Sequence, residues 1–119
     1  MDFHVYVYGP AGGPLPRSFE AARAALEACG FYCEPDGSLG RGSVDPRPWQ
    51  LVGTLFDADE WLQYVELRGW CPYPVWLEVL HAIGALPQTC ALFLPASGTW
   101  LSESQFAARF ELSVDVARG

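Results

Sequence analysis

The chain contains no lysine and no asparagine, and Ile83 is its one isoleucine. The missing lysine carries the most information. It excludes a phosphate-binding-loop lysine, a Schiff-base lysine and a cofactor held through a lysine imine, because each needs an amine that the chain lacks. All seven basic residues are therefore arginines, set against 14 Asp and Glu for a net charge of -7. A nucleic-acid backbone is not the ligand such a surface suits, whereas a basic protein partner is. Arginine without lysine, together with a single isoleucine, reads as GC-rich coding rather than chemistry. Cysteine is also sparse: Cys29, Cys33, Cys71 and Cys90 are too few and too scattered for a disulfide scaffold. The opening MDFHVYVYG lacks the basic start and apolar run of a signal peptide, and no apolar run approaches the roughly 20 residues that span a bilayer. The expectation is a cytoplasmic protein with reduced thiols and no membrane contact.

What is abundant is apolar and aromatic. Half of the 119 residues are apolar, enough for one core, so residues 1–119 are expected to form a single domain. Seven Phe, five Tyr and five Trp are a large share for so small a body. Of these aromatics, which include Trp49, Trp61, Trp70, Trp76 and Trp100, some are expected at least partly on the surface, where they mark a dimer or partner interface, although for any single one a place in a Trp-rich core is the commoner reading.

Asp2 to Tyr8 alternates, with Phe3, Val5 and Val7 on one side and His4, Tyr6 and Tyr8 on the other, which predicts a strand with its aliphatic side inward. A Gly/Pro loop follows, then a helix over Phe19 to Cys29 capped by Ser18 and ended by Gly30. FYCE, a PDG turn and SLGR predict a short strand or hairpin, and VDPRP a rigid connector. Trp49 to Phe56 reads as a strand. WLQYVELRG has two readings, a hairpin return strand or a helix capped by Asp57, and its β-forming Tyr64 to Leu67 favours the strand. Pro74 to Ala85 predicts a second helix, and Gln88 to Leu94 a buried central strand. Ser102 with Gln105 forms a capping box, with Leu101 and Phe106 as staple, for a short helix through Phe110. The simplest architecture is an α+β two-layer sandwich, ferredoxin-like βαββ(β)αβ with a short C-terminal helix.

One motif carries possible chemistry. In GWCPYP, Cys71-Pro72-Tyr73 resembles the first three residues of the glutaredoxin motif C-P-Y-C, placed between strand-like YVELRG and helical VWLEVLHAIG. The resemblance implies Cys71 as nucleophile, its thiolate favoured by a helix N-terminus. Pro74 stands where the second cysteine would be, so only monothiol chemistry remains. Pro87, the nearest downstream proline for that family's cis-proline loop, follows after one helix, and the motif lies past the middle of the chain. His81 on the same helix, oriented by Glu78, is the candidate base. Against this stands a structural account, in which Pro74 opens a helix and Trp70 and Tyr73 pack.

Other candidates are weaker. GPAGGPLPRS has neither dinucleotide nor phosphate-loop spacing, and its three prolines remove donors, so a stiff surface loop is expected. Cys29 and Cys33 make a C-x₃-C without a second pair, and Asp57, Asp59 and Glu60 read as a solvated acidic turn, so no metal and no cofactor is expected. The leading expectation is a non-catalytic protein that binds another protein, in size and charge like the inhibitors and immunity proteins of bacterial toxins. Asp57, Asp59, Glu60 and Trp61 would bind the partner. The alternatives are a thiol-dependent enzyme using Cys71 and His81, and a homodimer whose sheet face, with His4, Tyr6 and Tyr8, lines an apolar pocket.

Overall fold

The computed structural model describes residues 2–44 and 48–110, so the connector predicted at VDPRP lies largely outside the described residues. The elements run β1 (Phe3–Tyr8), α1 (Phe19–Ala28), β2 (Tyr32–Cys33), β3 (Ser38–Ser43), β4 (Trp49–Ala58), β5 (Trp61–Trp70), α2 (Tyr73–Ala82), β6 (Ala91–Leu94), β7 (Thr99–Leu101) and α3 (Glu103–Arg109). Every pairing is antiparallel, in one sheet ordered β2-β3-β4-β5-β1-β6-β7.

Local chemistry sets most boundaries. Ser18 accepts the Ala21 N–H at the start of α1, and Gly30 follows the helix at a φ of 92°, a left-handed position that favours glycine. The capping box at Ser102 forms in both directions with Gln105. Segment 61–70 is the strand that its β-forming run favoured. Two elements differ from expectation. Four strands, not two or three, separate α1 from α2, because even the two-residue β2 pairs with β3. The run TCALFL holds only the four-residue β6, which alternates in burial and lies second from the edge, beside a three-residue β7 that sequence missed. A PASG turn made that last strand look like loop.

The core lies on one face of the sheet. Phe3, Val5 and Val7 from β1 meet Leu51 and Leu55 from β4, Val65 and Leu67 from β5 and Leu92 and Leu94 from β6, all buried. Ala22 and Leu26 of α1 and Val75, Trp76, Val79 and Leu80 of α2 close over them. Phe3 is the centre of an aromatic knot, edge-on to Trp76 at 5.5 Å, Phe106 at 5.1 Å and Phe110 at 5.6 Å. α3 thereby completes the core beneath β1. Gly53 is required where the sheet is tightest: a Cβ there would come within 2.0 Å of the Glu66 carbonyl oxygen.

Candidate functional site

Three places were singled out by sequence or exposed by the fold. At the first, Cys71 precedes α2, with Pro72 as N-cap and Tyr73 and Pro74 opening the helix. The side chain is fully buried and belongs to the core cluster. Burial pushes the thiol up to about 12, which the Arg41 charge reduces only in part and the Glu78 charge reinforces. Loss of water outweighs any helix-end field here, so the environment is the reverse of what an activated thiolate needs. His81 sits eight residues into α2, roughly 12 Å of helix rise from its start. It lines a shallow groove between α1 and α2 with Arg17, Cys29 and Glu78, a groove that Cys71 does not reach. The structure does not bring the two together.

The loop after β1 has its own use for its donors. The N–H groups of Gly9, Gly12 and Gly13 bond to carbonyls within the loop, and Arg17 donates to the Ala82 carbonyl at 3.2 Å. No donor cradle is left there for an anion. Cys29 and Cys33 are free thiols, and among the described residues no three His, Cys, Asp or Glu side chains gather where they could hold a metal.

The second place is the tip of the β4–β5 hairpin. Asp59 and Glu60 form a two-residue turn with φ of 52° and 71°, both left-handed. Two-residue hairpins ask for positive φ at both positions, which is why Asn-Gly and Asp-Gly dominate them. Glycine occupies positive φ at six other positions among the described residues, yet the turn carries two acids. The extra residue Gln63 makes a bulge between the Phe56–Tyr64 and Asp57–Leu62 pairs. The Phe19 N–H donates to the Glu60 carbonyl at 2.8 Å, tying the tip to the start of α1. Asp57, Asp59 and Glu60 are all exposed, and Trp61 beside them is 56% exposed. The four residues picked from sequence thus share one projecting turn.

The third place is the sheet face that none of the described helices covers. Strand alternation puts His4, Tyr6 and Tyr8 there from β1, as expected, and adds Phe56, Tyr64, Glu66, Phe93 and Trp100 from four other strands. Five rings form a closed circuit: Tyr6 to Tyr64 at 5.6 Å, Tyr64 to Tyr8 at 5.0 Å, Tyr8 to Trp100 at 5.3 Å, Trp100 to Phe93 at 4.9 Å and Phe93 to Tyr6 at 6.3 Å. Phe56 stacks on Tyr64 at 4.7 Å and an 18° interplanar angle. These spacings are those of attractive aromatic pairs. At the foot of the circuit His4 packs edge-on against Tyr6, and its Nε2 lies 2.7 Å from a Glu66 oxygen that Arg68 also approaches.

No protein-family model, no curated protein and no solved structure matches the chain. The site is therefore read from its own residues. Tyr64 and Glu66 were findable in QYVELR, where a period of two puts them on the face opposite Val65 and Leu67. Phe93 and Trp100 were not, because their strands are too short to show a period. No helix among the described residues is long and apolar enough to cross a membrane.

Proposed function

We propose that this chain is a non-catalytic module that binds another protein through the uncovered face of its sheet and the acidic hairpin tip at that face's end. The observation that carries this reading is the aromatic circuit. Six large rings lie together on the side of the sheet that the helices leave bare, with Phe56 37% and Trp100 51% exposed. Contiguous apolar surface of this kind marks interaction sites in soluble proteins, and aromatic residues dominate interface energetics. The alternative of a Cys71 enzyme has no such support, since its thiol is buried and its proposed base lies elsewhere.

The proposal extends to the frame. A single-domain, ferredoxin-like core is supported by the central order β4-β5-β1-β6, in which α1, followed by β2 and β3, connects β1 to β4 across β5 and α2 links β5 to β6 across β1. On that reading β2, β3 and β7 are additions at the two edges. A cytoplasmic setting accords with four free thiols.

The test uses the immobilised protein to capture a partner, whose affinity is then measured for wild type and two variants. F56T/W100T removes the exposed rings, and D57N/D59N/E60Q/W61A removes the tip. Each is expected to weaken binding by more than about tenfold while circular dichroism stays unchanged. Affinity unchanged in both variants would sink the reading.

A further inference from the structure

We propose that the uncovered aromatic face docks an arginine-rich, cationic segment of the partner, with guanidinium groups stacked on Trp100 and Phe56 and paired with carboxylates at the rim. This deepens the protein-binding reading and rests on it. The face supplies the area, and the distribution of charge selects the occupant.

Six carboxylates belong to the turns and the helix start at the end of the sheet where Phe56 lies. Asp57 follows that ring directly, and Asp59 and Glu60 form the turn beyond it. Glu20 stands in the first turn of α1, whose Phe19 N–H is bonded to the Glu60 carbonyl, and Glu34 and Asp36 belong to the β2–β3 turn, held there by the Leu55 N–H donating to the Gly37 carbonyl at 2.8 Å. None of the six makes an ion pair with a described residue. The five arginines among the described residues are engaged elsewhere. Arg17 bonds the Ala82 carbonyl, Arg23 approaches Glu27, Arg41 bonds the Cys29 carbonyl and Glu78, and Arg68 approaches Glu66. Arg109 closes α3 on the side that buries Phe3. Among the described residues, the end of the sheet beside the rings is thus acidic and uncompensated.

That arrangement rejects two of the occupants an aromatic sheet face could take. Single-stranded nucleic acid would stack on the rings, but its phosphates meet a chain of net charge -7 with no lysine. A second copy would bring the same charge and the same acids to the interface. A cation is complementary, and among cations arginine fits best, because its planar guanidinium stacks on aromatic faces and pairs with carboxylates at once. The molecule already uses its own arginine in this way: the Arg41 guanidinium carbon lies 5.8 Å from the Phe31 ring centre and 5.6 Å from that of Trp49, with Glu78 as its carboxylate.

The experiment titrates the ¹⁵N-labelled full chain with an octa-arginine peptide, an octa-lysine peptide, a neutral peptide of equal length and an oligothymidylate, following amide shifts and affinity. Octa-arginine is expected to bind about tenfold tighter than octa-lysine, with shifts in β1, β4, β5, β6 and β7. F56T/W100T should erase that preference, and D57N/D59N/E60Q should weaken both cationic peptides. Each variant's own amide dispersion reports that it is folded. Equal affinity for the two cationic peptides, shifts confined to the hairpin tip, tighter binding of the neutral peptide or the oligonucleotide, or a concentration-dependent dimer through this face would each overturn the proposal. If octa-arginine fails while F56T/W100T still loses the captured partner, the protein-binding reading stands and only the cationic occupant falls. If that variant also keeps the captured partner, the face is not the interface.

Discussion

The two faces of the sheet are made by the same strands and differ by one residue of register. On β5, Val65 and Leu67 are buried under the helices while Tyr64 and Glu66 face outward. On β1, Val5 and Val7 point one way and Tyr6 and Tyr8 the other. The covered face is almost wholly aliphatic where the strands cross, whereas the bare face carries six large rings with His4, Glu66 and Arg68 at their foot. A bare face that served only solubility would carry polar and charged residues, as half-exposed antiparallel sheets usually do. Here the aromatic rings are a second apolar surface that no described helix covers.

The comparison is broken most sharply by a pair of neighbours. Val65→Asp places a carboxylate among Val7, Leu55 and the helices with no partner, so the fold is expected to be lost outright, a cost on the scale of the roughly 5–15 kcal/mol that holds a small domain together. Tyr64→Thr, one residue earlier, keeps β propensity and leaves the helices seated, and is expected to cost about 1 kcal/mol. Urea unfolding of both variants checks this. If Tyr64→Thr were as damaging as Val65→Asp, the outer rings would be part of the core, and their exposure would carry no functional meaning.

Burial rather than position also decides the chemistry of Cys71, and pH exposes it. The thiol is raised from its ordinary value to about 12. A thiol held neutral in the fold contributes stability that is fully present below about pH 9 and is lost as pH rises toward 12, because the unfolded chain ionises first. Cys71→Ala is expected to be less stable than wild type at neutral pH, through the cavity it leaves. That gap should close by about 1.4 kcal/mol per pH unit above roughly pH 9. Denaturation between about pH 7 and 10.5 measures it. A gap independent of pH would mean that the thiol ionises as freely in the fold as in the open chain, and would restore Cys71 as a candidate nucleophile.

How much of this was legible follows from the length of each signal. The alternation of Phe3 to Tyr8 and of Tyr64 to Leu67 is long enough to fix both faces of the two central strands, and Ser18 and Ser102 announced their helices by capping chemistry. β2 and β7 are two and three residues long, below the length at which a period can be read, and they are strands because a neighbour offers hydrogen bonds. Trp100 was therefore invisible as a member of the aromatic face, although its abundance class was not. Cys71 misled for a different reason. C-P-Y before a helix states where a thiol lies along the chain, but reactivity depends on water, and burial beneath α2 is a tertiary fact. The acidic turn was found by composition alone, while its backbone was not, since Asp-Glu is a poor sequence for the left-handed turn it makes.

That last mismatch separates stability from binding at the hairpin tip. Glu60 has a φ of 71° and no side-chain hydrogen bond among the described residues, in a region where an L-residue with a long side chain is strained. Its backbone carbonyl, which accepts from the Phe19 N–H, does not depend on the side chain. Glu60→Gly keeps that bond and relieves the strain, at the cost of a more flexible unfolded chain, and the net is expected to be a gain of about 0.5–1 kcal/mol. The same change removes one of the three acids at the tip, so affinity for octa-arginine should fall as stability rises. Opposite signs in the two measurements would show a turn sequence kept for what it binds rather than for how it folds. A loss of stability would mean that Glu60 supports the hairpin itself, and the strain at the tip would then be no pointer to function.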